Sequence, residues 1–286
     1  MPIDLDAALG AELPPVEFSW SCSDIQLYHL GLGAGADPLD PRELRYLSDG
    51  TPQVLPTFGN VAQSFHETEA PTVSFPGIDI ELSKVLHASE GISAPAPIPA
   101  SGTALAHTRF TDIWDKGKAA VIFSETVVTA LDGSPLWTQR RSIYARGEGG
   151  FGGGRGPSSH SSTPDRAPEV ELFIPVLPQQ GLLYRLCGDR NPLHSDPEFA
   201  AAAGFPKPIL HGLCTYGMVC KAITDALLDG DAASVGSYGA RFVGVVYPGE
   251  MLKVSVWEET TQLVATVVAP DRGDADVLTG VELIPT

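Results

Sequence analysis

The chain has 286 residues, of which 43% are hydrophobic and 19% are charged, a composition typical of a globular protein with a substantial core. Its formal net charge of −17 argues against non-specific binding to nucleic acid or to an anionic membrane surface. No apolar run approaches the ~18 residues that a membrane span needs, and the start shows no signal-peptide pattern. We therefore expect a cytoplasmic protein with no nucleic-acid partner and no membrane span.

The first half of the chain predicts a strand, two helical segments and then four strands. In chain order these are a strand at 16–20, helices at 24–32 and 56–65, and strands at 77–86, 102–114, 118–130 and 136–145. Gly, Ser and Pro then dominate residues 147–168, which predicts a linker. The chain accordingly divides into an N-terminal module, residues 1–146, and a C-terminal module, residues 169–286.

The second half predicts one long helix followed by a run of strands. In chain order we expect a strand at 169–176, a short helix at 197–203, a helix at 212–228 that Gly230 ends, and strands at 236–247, 251–259, 262–269 and 277–284. A helix followed by antiparallel strands indicates a sheet wrapped around that helix. The first half repeats this order loosely, and residues 28–33 weakly echo residues 184–189, which indicates an internal duplication.

The densest functional signal is the string YRLCGDRNPLH, which ends at His194. Its Gly-Asp and Asn-Pro pairs favour turns, and a turn can bring Asp189 and His194 into one cleft. A carboxylate beside an imidazole is suited to moving protons near neutral pH. Asn191 either positions a water or holds the turn. From the residues alone a structural interpretation stays open, because Asp and Asn commonly form turns and a lone His is more often a surface or core residue.

The same string resembles the signature of the hydratase 2 / MaoC-like dehydratase family: an aromatic residue, Gly-Asp, any residue, Asn-Pro-aliphatic-His, and a small residue six positions further on. These positions are filled here by Tyr184, Gly188, Asp189, Asn191, Pro192, Leu193, His194 and Ala200. The similarity continues through KPILHGLCT at 207–215, the ARF string that ends at Phe242 and the YPG string at 247–249. In the first half, KVLH ending at His87, DKG at 115–117 and GGFGG at 149–153 resemble the two-module members of the family.

The resemblance implies an α+β double hot-dog fold, with two modules that each wrap an antiparallel sheet around a central helix. It implies reversible addition of water to a trans-2-enoyl-CoA to give a (3R)-hydroxyacyl-CoA, in fatty-acid metabolism and β-oxidation. The only cofactor group is then the coenzyme A of the acyl-CoA substrate, no metal is required, and a homodimer is expected. Two departures matter. Ala88 follows His87 where the long members usually carry Gly, and the first half lacks the Asp-x-Asn-Pro-x-His string.

The first half is therefore expected to be catalytically silent. Without a catalytic loop, its central helix can be displaced or unwound, and the vacated apolar core can accept a long or bulky acyl chain.

The family match assigns two groups of site residues. The catalytic group is Asp189, His194, Asn191 and Gly212, and the substrate- or CoA-binding group is His87, Lys116, Phe151, Arg190, Pro192, Leu193 and Phe242. Gly212 begins the predicted helix, whose free N–H groups can stabilise negative charge on a thioester oxygen. Alternatively, Gly212 only relieves crowding between helix and sheet.

Two other functions remain open at this stage. A dehydratase of (3R)-hydroxyacyl thioesters on acyl carrier protein would use the same residues, but it needs a basic docking surface, and this chain is acidic. A catalytically inactive hot-dog protein that binds acyl thioesters is the other. The four cysteines form no Cys-x-x-Cys pair, so we expect reduced thiols and no zinc site.

Overall fold

The computed structural model describes residues 3–157 and 163–286, and residues 158–162 of the predicted linker lie outside this range. Ten strands form one antiparallel sheet in the order β1-β5-β6-β7-β4-β9-β12-β11-β10-β8, and β2 pairs with β3 apart from it. The strands are β1 (Val16–Trp20), β2 (Val73–Phe75), β3 (Ile78–Ile80), β4 (Val85–Ser93), β5 (Gly102–Asp115), β6 (Ala119–Ala130), β7 (Pro135–Arg146), β8 (Val170–Pro175), β9 (Val235–Phe242), β10 (Met251–Glu258), β11 (Leu263–Ala269) and β12 (Ala275–Pro285). The α-helices are α1 (Leu5–Ala8), α2 (Cys22–Gly31), α3 (Pro41–Arg45), α4 (Gln180–Tyr184), α5 (Pro197–Ala202) and α6 (Gly212–Leu227).

The sheet consists of two halves with the same strand order. Read from the free edge to the middle, the N-terminal half runs β1-β5-β6-β7-β4 and the C-terminal half runs β8-β10-β11-β12-β9. The halves join where β4 pairs with β9, from Ser89 opposite Arg241 to Ser93 opposite Ser237. Two further segments that the sequence relates also meet, because the rings of Tyr28 in α2 and Tyr184 in α4 lie 6.1 Å apart. The arrangement is that of a duplicated unit.

The C-terminal half has the central helix that its sequence predicts. Most of α6 is buried, including Cys214, Tyr216 and Val219, and it packs against β8 and β9. The helix ends where Asp229 and Gly230 adopt left-handed backbone angles, with φ of 53° and 67°. Glycine takes that conformation at little cost. Among the described residues, no helix is both long and apolar enough to cross a membrane.

Among its described residues the N-terminal half has no such central helix, and the prediction of a helix at 56–65 is wrong. Two short 3-10 turns, Pro56–Asn60 and Ala62–Ser64, stand in its place. A Cβ at Gly59 would lie 2.7 Å from Ile92 and 2.9 Å from Trp137, so the backbone here is pressed against the sheet. The expectation of one central helix in each module therefore holds only for the second.

The prediction of one continuous strand at 77–86 is also wrong. Ile78–Ile80 pairs with Val73–Phe75 in a separate hairpin, and a 3-10 turn at Leu82–Lys84 separates this hairpin from β4. The strand β4 then runs on to Ser93 because it is hydrogen-bonded on both sides, to β7 and to β9. In the second half, the predicted strand 236–247 ends five residues early, at Phe242.

Candidate active site

The Gly-Asp pair of the signature string lies where the two halves touch. Gly188 follows a 3-10 turn at Arg185–Cys187 and has a φ of 99°. A Cβ at this position would lie 1.8 Å from the main-chain oxygen of Ser64 in the N-terminal half. Only glycine fits, both because of the backbone angle and because of this close approach. The contact fixes the loop that presents Asp189 against the other half of the chain.

Asn191 holds the turn between Asp189 and His194. Its side-chain oxygen accepts a hydrogen bond from the N–H of Leu193 at 3.0 Å, which caps the short 3-10 turn Pro192–His194. The carboxylate of Asp189 in turn accepts the N–H of Asn191 at 3.1 Å. The two catalytic candidates are thus tied to one stiff segment, and the turn-holding role that the sequence left open for Asn191 is present.

His194 has a fixed orientation. Its Nδ1 donates to the main-chain oxygen of Ile209 at 2.9 Å, which leaves Nε2 as the proton acceptor. Burial lowers the pKa of His194 below its usual 6.5, although the Asp189 charge opposes this. Burial acts to raise the pKa of Asp189, but the neighbouring imidazoles, the Asn191 N–H and Arg141 together hold it below its usual value. At neutral pH the site therefore contains two proton acceptors, a neutral imidazole and a carboxylate.

A second histidine, His211, belongs to the site although the sequence analysis did not assign it. Its ring stacks on that of His194, with centroids 3.8 Å apart and planes 29° apart. Its Nε2 lies 3.2 Å from the main-chain oxygen of Asp189, to which it donates. His211 is 1% exposed, and burial lowers its pKa to about 3, so the ring is neutral. It is a positioning residue that contacts both catalytic candidates.

One donor atom from each of Asp189, His194 and His211 lies within 4.8 Å of the other two, which is close enough for a shared metal ion. The ring geometry argues against that use. A metal lies in the plane of each imidazole that binds it, and two stacked rings do not share a plane. In addition, each ring already uses one nitrogen in a bond to a main-chain oxygen. This geometry favours proton transfer over metal binding as the use of the cluster.

Asp189, Asn191, Leu193, His194 and Gly212 all line one cavity of about 830 Å³. The rest of its wall comes largely from the N-terminal half, where each of the five strands contributes. These residues are Val16 of β1, Thr108 and Phe110 of β5, Ile122, Ser124 and Thr126 of β6, Gln139, Arg141, Ile143 and Arg146 of β7, and Val85, Leu86 and His87 of β4. Asn60, Gln63 and Ser64, from the segment where the predicted helix is missing, also line the cavity.

Gly212 begins α6 beside the catalytic pair. Within the described residues, no main-chain oxygen accepts the N–H of Gly212 or of Leu213, so both donors are available at the helix start. A Cβ on Gly212 would lie 3.1 Å from the ring of Phe242, which lines the cavity too. The glycine therefore makes room for Phe242, which is the alternative role predicted for it, and its free N–H belongs to a residue that lines the cavity.

The remaining predicted binding residues divide into two groups. His87 lines the cavity, where its ring packs on Phe242 with centroids 4.8 Å apart and its Nε2 lies 2.6 Å from Glu90. Lys116, Phe151, Arg190 and Pro192 do not line it. Lys116 lies over the ring of Trp114 at 4.7 Å. These four can contact only a part of coenzyme A that stays outside the cavity.

The strings DKG and GGFGG, which carry Lys116 and Phe151, form one structural unit. The carboxylate of Asp115 accepts the N–H groups of Gly117, Gly150 and Gly152 at 2.7, 2.9 and 2.9 Å. These hydrogen bonds hold the pKa of Asp115 below its usual value. Asp115 thereby fixes the loop that follows β7 onto the turn between β5 and β6.

Comparison with known proteins gives a consistent result. The MaoC-like domain matches residues 159–275, and the MFE-2 hydratase 2 N-terminal domain matches residues 18–147. Enoyl-CoA hydratase ChsH3 of Mycobacterium tuberculosis is 73% identical over 285 residues, with 100% of each chain covered. A crystal structure of a MaoC-like dehydratase from Phytophthora capsici superposes with a TM-score of 0.85 at 26% identity, covering 99% and 98% of the two chains.

The fold is confirmed by a more distant structure. A Mycobacterium tuberculosis protein described as having a double hotdog fold superposes with a TM-score of 0.59 at 13% identity, covering 98% of this chain and 97% of its own. The predicted double hot-dog architecture is thus present, with the correction that only the second module retains its long helix.

The buried neutral histidines make stability depend on pH. Burial lowers the pKa of both His29 and His211 to about 3, against a usual 6.5, so below pH 6.5 the unfolded chain binds protons that the folded chain does not. Their contribution to stability is complete above pH 6.5 and is lost as the pH falls towards 3. Between pH 6.5 and 5, each should lower the free energy of unfolding by up to about 1.4 kcal/mol per pH unit.

Urea unfolding at several values between pH 7 and pH 5 measures this slope. His211→Phe and His29→Phe should each make it shallower. The control is Tyr184→Phe, which removes no group that titrates in this window and so should shift stability equally at every pH. Equal slopes in all four proteins would contradict the assignment of neutral buried rings.

Proposed function

The chain belongs to the family of MaoC-like dehydratases that carry a hydratase 2 N-terminal domain, and we propose on that basis that it is an (R)-specific enoyl-CoA hydratase. It adds water reversibly to a trans-2-enoyl-CoA and forms a (3R)-hydroxyacyl-CoA. The observation that carries the proposal is the convergence of Asp189, His194 and the free N–H of Gly212 on one acyl-sized cavity. The proposal also includes that the protein acts in β-oxidation and forms a homodimer.

A cytoplasmic location is also part of the proposal. Supporting it, Cys187, Cys214 and Cys220 are free and buried, and burial raises the pKa of each thiol, which keeps it protonated and inert.

The chemistry follows from the protonation states. A water between Asp189 and His194 meets two acceptors, one for each of its protons. As its oxygen bonds to Cβ, one proton passes to the pair, and the double-bond electrons move towards the thioester oxygen. The N–H of Gly212 at the start of α6 stabilises that oxygen as it becomes negative. Because neither acceptor holds an acidic proton at the start, the pair returns the water's own proton to Cα, and the acceptors are regenerated.

Substitutions of the pair test its role. Asp189→Asn removes the proton-accepting carboxylate and His194→Ala removes the imidazole, so each should lower kcat by roughly 10²–10⁴ with little change in KM. The double variant should be scarcely worse than the poorer single one, because residues that act on one water fail together.

The control for these variants is Asp196→Asn. Asp196 lies in the same segment, but its carboxylate caps α5 and does not line the cavity. Asn is an equally good cap, so kcat should be unchanged. Circular dichroism and melting confirm that each variant folds. If a folded Asp189 or His194 variant keeps more than about a tenth of the wild-type kcat, the substituted residue is not the acid or base.

Product stereochemistry tests the proposed function itself. Crotonyl-CoA should lose its enoyl absorbance when the protein is added, and the 3-hydroxyacyl-CoA formed should be the (3R) isomer. Coupling to a dehydrogenase that is specific for the (3S) isomer should give no NADH, whereas rapid NADH formation rejects the assignment. The absence of any turnover would favour an inactive thioester-binding protein.

Acyl-chain preference follows from the shape of the cavity. At about 830 Å³ the cavity lies within the ~300–1,000 Å³ typical of ligand sites, and most of it lies in the N-terminal half, where the helix is missing. Activity on trans-2-enoyl-CoAs should therefore extend beyond eight carbons. Activity confined to four carbons would contradict the proposed role of the first half.

A cavity-filling substitution tests the location of the chain. Ser124→Phe places a ring on the inner face of β6, where crowding costs ~1–3 kcal/mol, and each 1.4 kcal/mol is about tenfold. The activity ratio of ten-carbon to four-carbon substrate should fall by about tenfold or more. Val127→Phe enlarges a residue of the same strand that does not line the cavity, and there the ratio should not change.

A further inference from the structure

A buried carboxylate lies in the wall of the acyl cavity. The side chain of Glu90 in β4 is 0% exposed. Its Oε1 accepts from Asn60 Nδ2 at 2.7 Å and from Gln139 Nε2 at 2.8 Å. Its Oε2 accepts from Arg141 Nε at 3.0 Å and lies 2.6 Å from His87 Nε2. All four partners line the cavity, so a charged network borders a space that otherwise suits a hydrocarbon chain.

Arg141 is the member of this network that has donors to spare. Its Nε donates to Glu90 and its Nη2 donates to the main-chain oxygen of Asn60 at 3.2 Å. A guanidinium has five N–H donors in a planar fork. Within the described residues no acceptor lies against Nη1, although the side chain is only 36% exposed. Alternation along β7 places Arg141 on the inner face with Gln139 and Ile143, so these donors face the cavity.

The neighbouring Arg140 shows the contrast. It points to the opposite face of β7, is 71% exposed and pairs with Glu125 at 3.0 Å. Arg140 does not line the cavity. Two consecutive arginines therefore have different surroundings, one in solvent and one at the acyl wall.

A plain hydrocarbon chain is a poor partner for Arg141. Covering N–H donors with methylene groups removes their water and returns no hydrogen bond, so each donor left unsatisfied weakens binding of such a chain. Nearby polar atoms extend the same surface. The buried Oδ1 of Asn60 has no partner among the described residues, and Thr108 and Thr126 share a hydrogen bond of 2.8 Å. An oxygen atom in the acyl chain would instead accept from Arg141.

We propose that the cavity selects acyl groups that carry a hydrogen-bond-accepting oxygen where the chain passes Arg141, with Glu90 as the residue that positions the guanidinium. The substrate class is thus an oxygen-bearing enoyl-CoA, with an ether, ketone or hydroxyl in its tail, rather than an unsubstituted fatty enoyl-CoA. This inference rests on the proposed hydratase function and narrows its substrate.

The test uses chains that differ only in one atom. Trans-2-decenoyl-CoA is compared with a series in which a single methylene, from C5 to C9, is replaced by an ether oxygen, which accepts hydrogen bonds but does not donate. At one position, kcat/KM should exceed that of the all-carbon chain by about tenfold or more, as expected for a hydrogen bond to a charged donor. A wild-type preference for the all-carbon chain over every oxygen position overturns the proposal.

Variants then assign the preference to the network. Glu90→Gln combined with Arg141→Met removes both charges together, so that no unpaired charge is left buried. The oxygen preference should fall to about twofold or less, whereas Arg140→Met, the matched control on the outer face, should keep it. Because the readout is a ratio, a general loss of activity does not imitate it. If the double variant retains the preference, including the case in which it is slower on all chains alike, Arg141 acts on Asp189 and not on the acyl group, and the proposal fails.

Two further outcomes are possible: the double variant does not fold, or the wild-type protein has no hydratase activity. If the double variant does not fold, Arg141→Lys replaces it, because an ammonium that pairs with Glu90 presents no fork to the cavity. Selectivity should fall there too, and unchanged selectivity overturns the proposal. If the wild-type protein hydrates none of the chains, including crotonyl-CoA, the proposed hydratase function fails, which is distinct from a hydratase that lacks oxygen preference.

Discussion

The pairing of β4 with β9 is the interaction on which the rest of the molecule depends. Five residue pairs, from Ser89 opposite Arg241 to Ser93 opposite Ser237, turn two five-stranded sheets into one. Since β4 carries His87 and Glu90 and β9 ends at Phe242, the same ladder brings a polar wall of the first half beside the start of α6 in the second. The close approach of Gly188 to Ser64 fixes the other side of this junction. The cavity is the space that these two contacts leave between the halves.

The two halves share a sheet topology but differ in the structure that packs on the sheet. The second half keeps α6, whose buried face supplies the core of that half and whose first turn supplies free N–H donors. The first half has kept the sheet but reduced its helix to two 3-10 turns. A sheet face without a helix would be an exposed apolar surface. Here the hairpin of β2 and β3, with the loops around it, covers the face while leaving the cavity beneath. Asp189 and His194 line this same cavity, so in the proposed function chemistry and acyl binding share one space.

The turn that contains Asp189 and His194 could be predicted because its conformation depends on residues that are close together in the sequence. Gly188, Asn191 and the short separation of Asp189 from His194 in the sequence predict a turn, and long alternating strands such as β5, β6 and β7 have equally local patterns. The predictions that failed were those for segments whose structure depends on tertiary contacts. Nothing within residues 56–65 signals that the sheet presses on Gly59, and β4 is a strand because two neighbours pair with it. His211 was missed because its role depends on stacking against a residue seventeen positions earlier in the chain, and the Glu90 network joins three separate segments.

The positions of the charged groups explain why such a network is tolerated at an acyl site. Taking a carboxylate out of water is costly unless hydrogen bonds and an opposite charge replace the lost hydration. Glu90 receives both, from Asn60, Gln139 and Arg141. Burial acts to raise the pKa of Asp189, and Arg141 helps to keep that pKa low, together with the larger effects of the two histidines and of the Asn191 N–H. The reacting end of the cavity is therefore polar and fixed, whereas Phe110, Ile122 and Ile143 supply an apolar wall further into the first half. If Arg141 selects the acyl group as proposed, that selection takes place where the two halves join, because β4 carries Glu90 and pairs with β9.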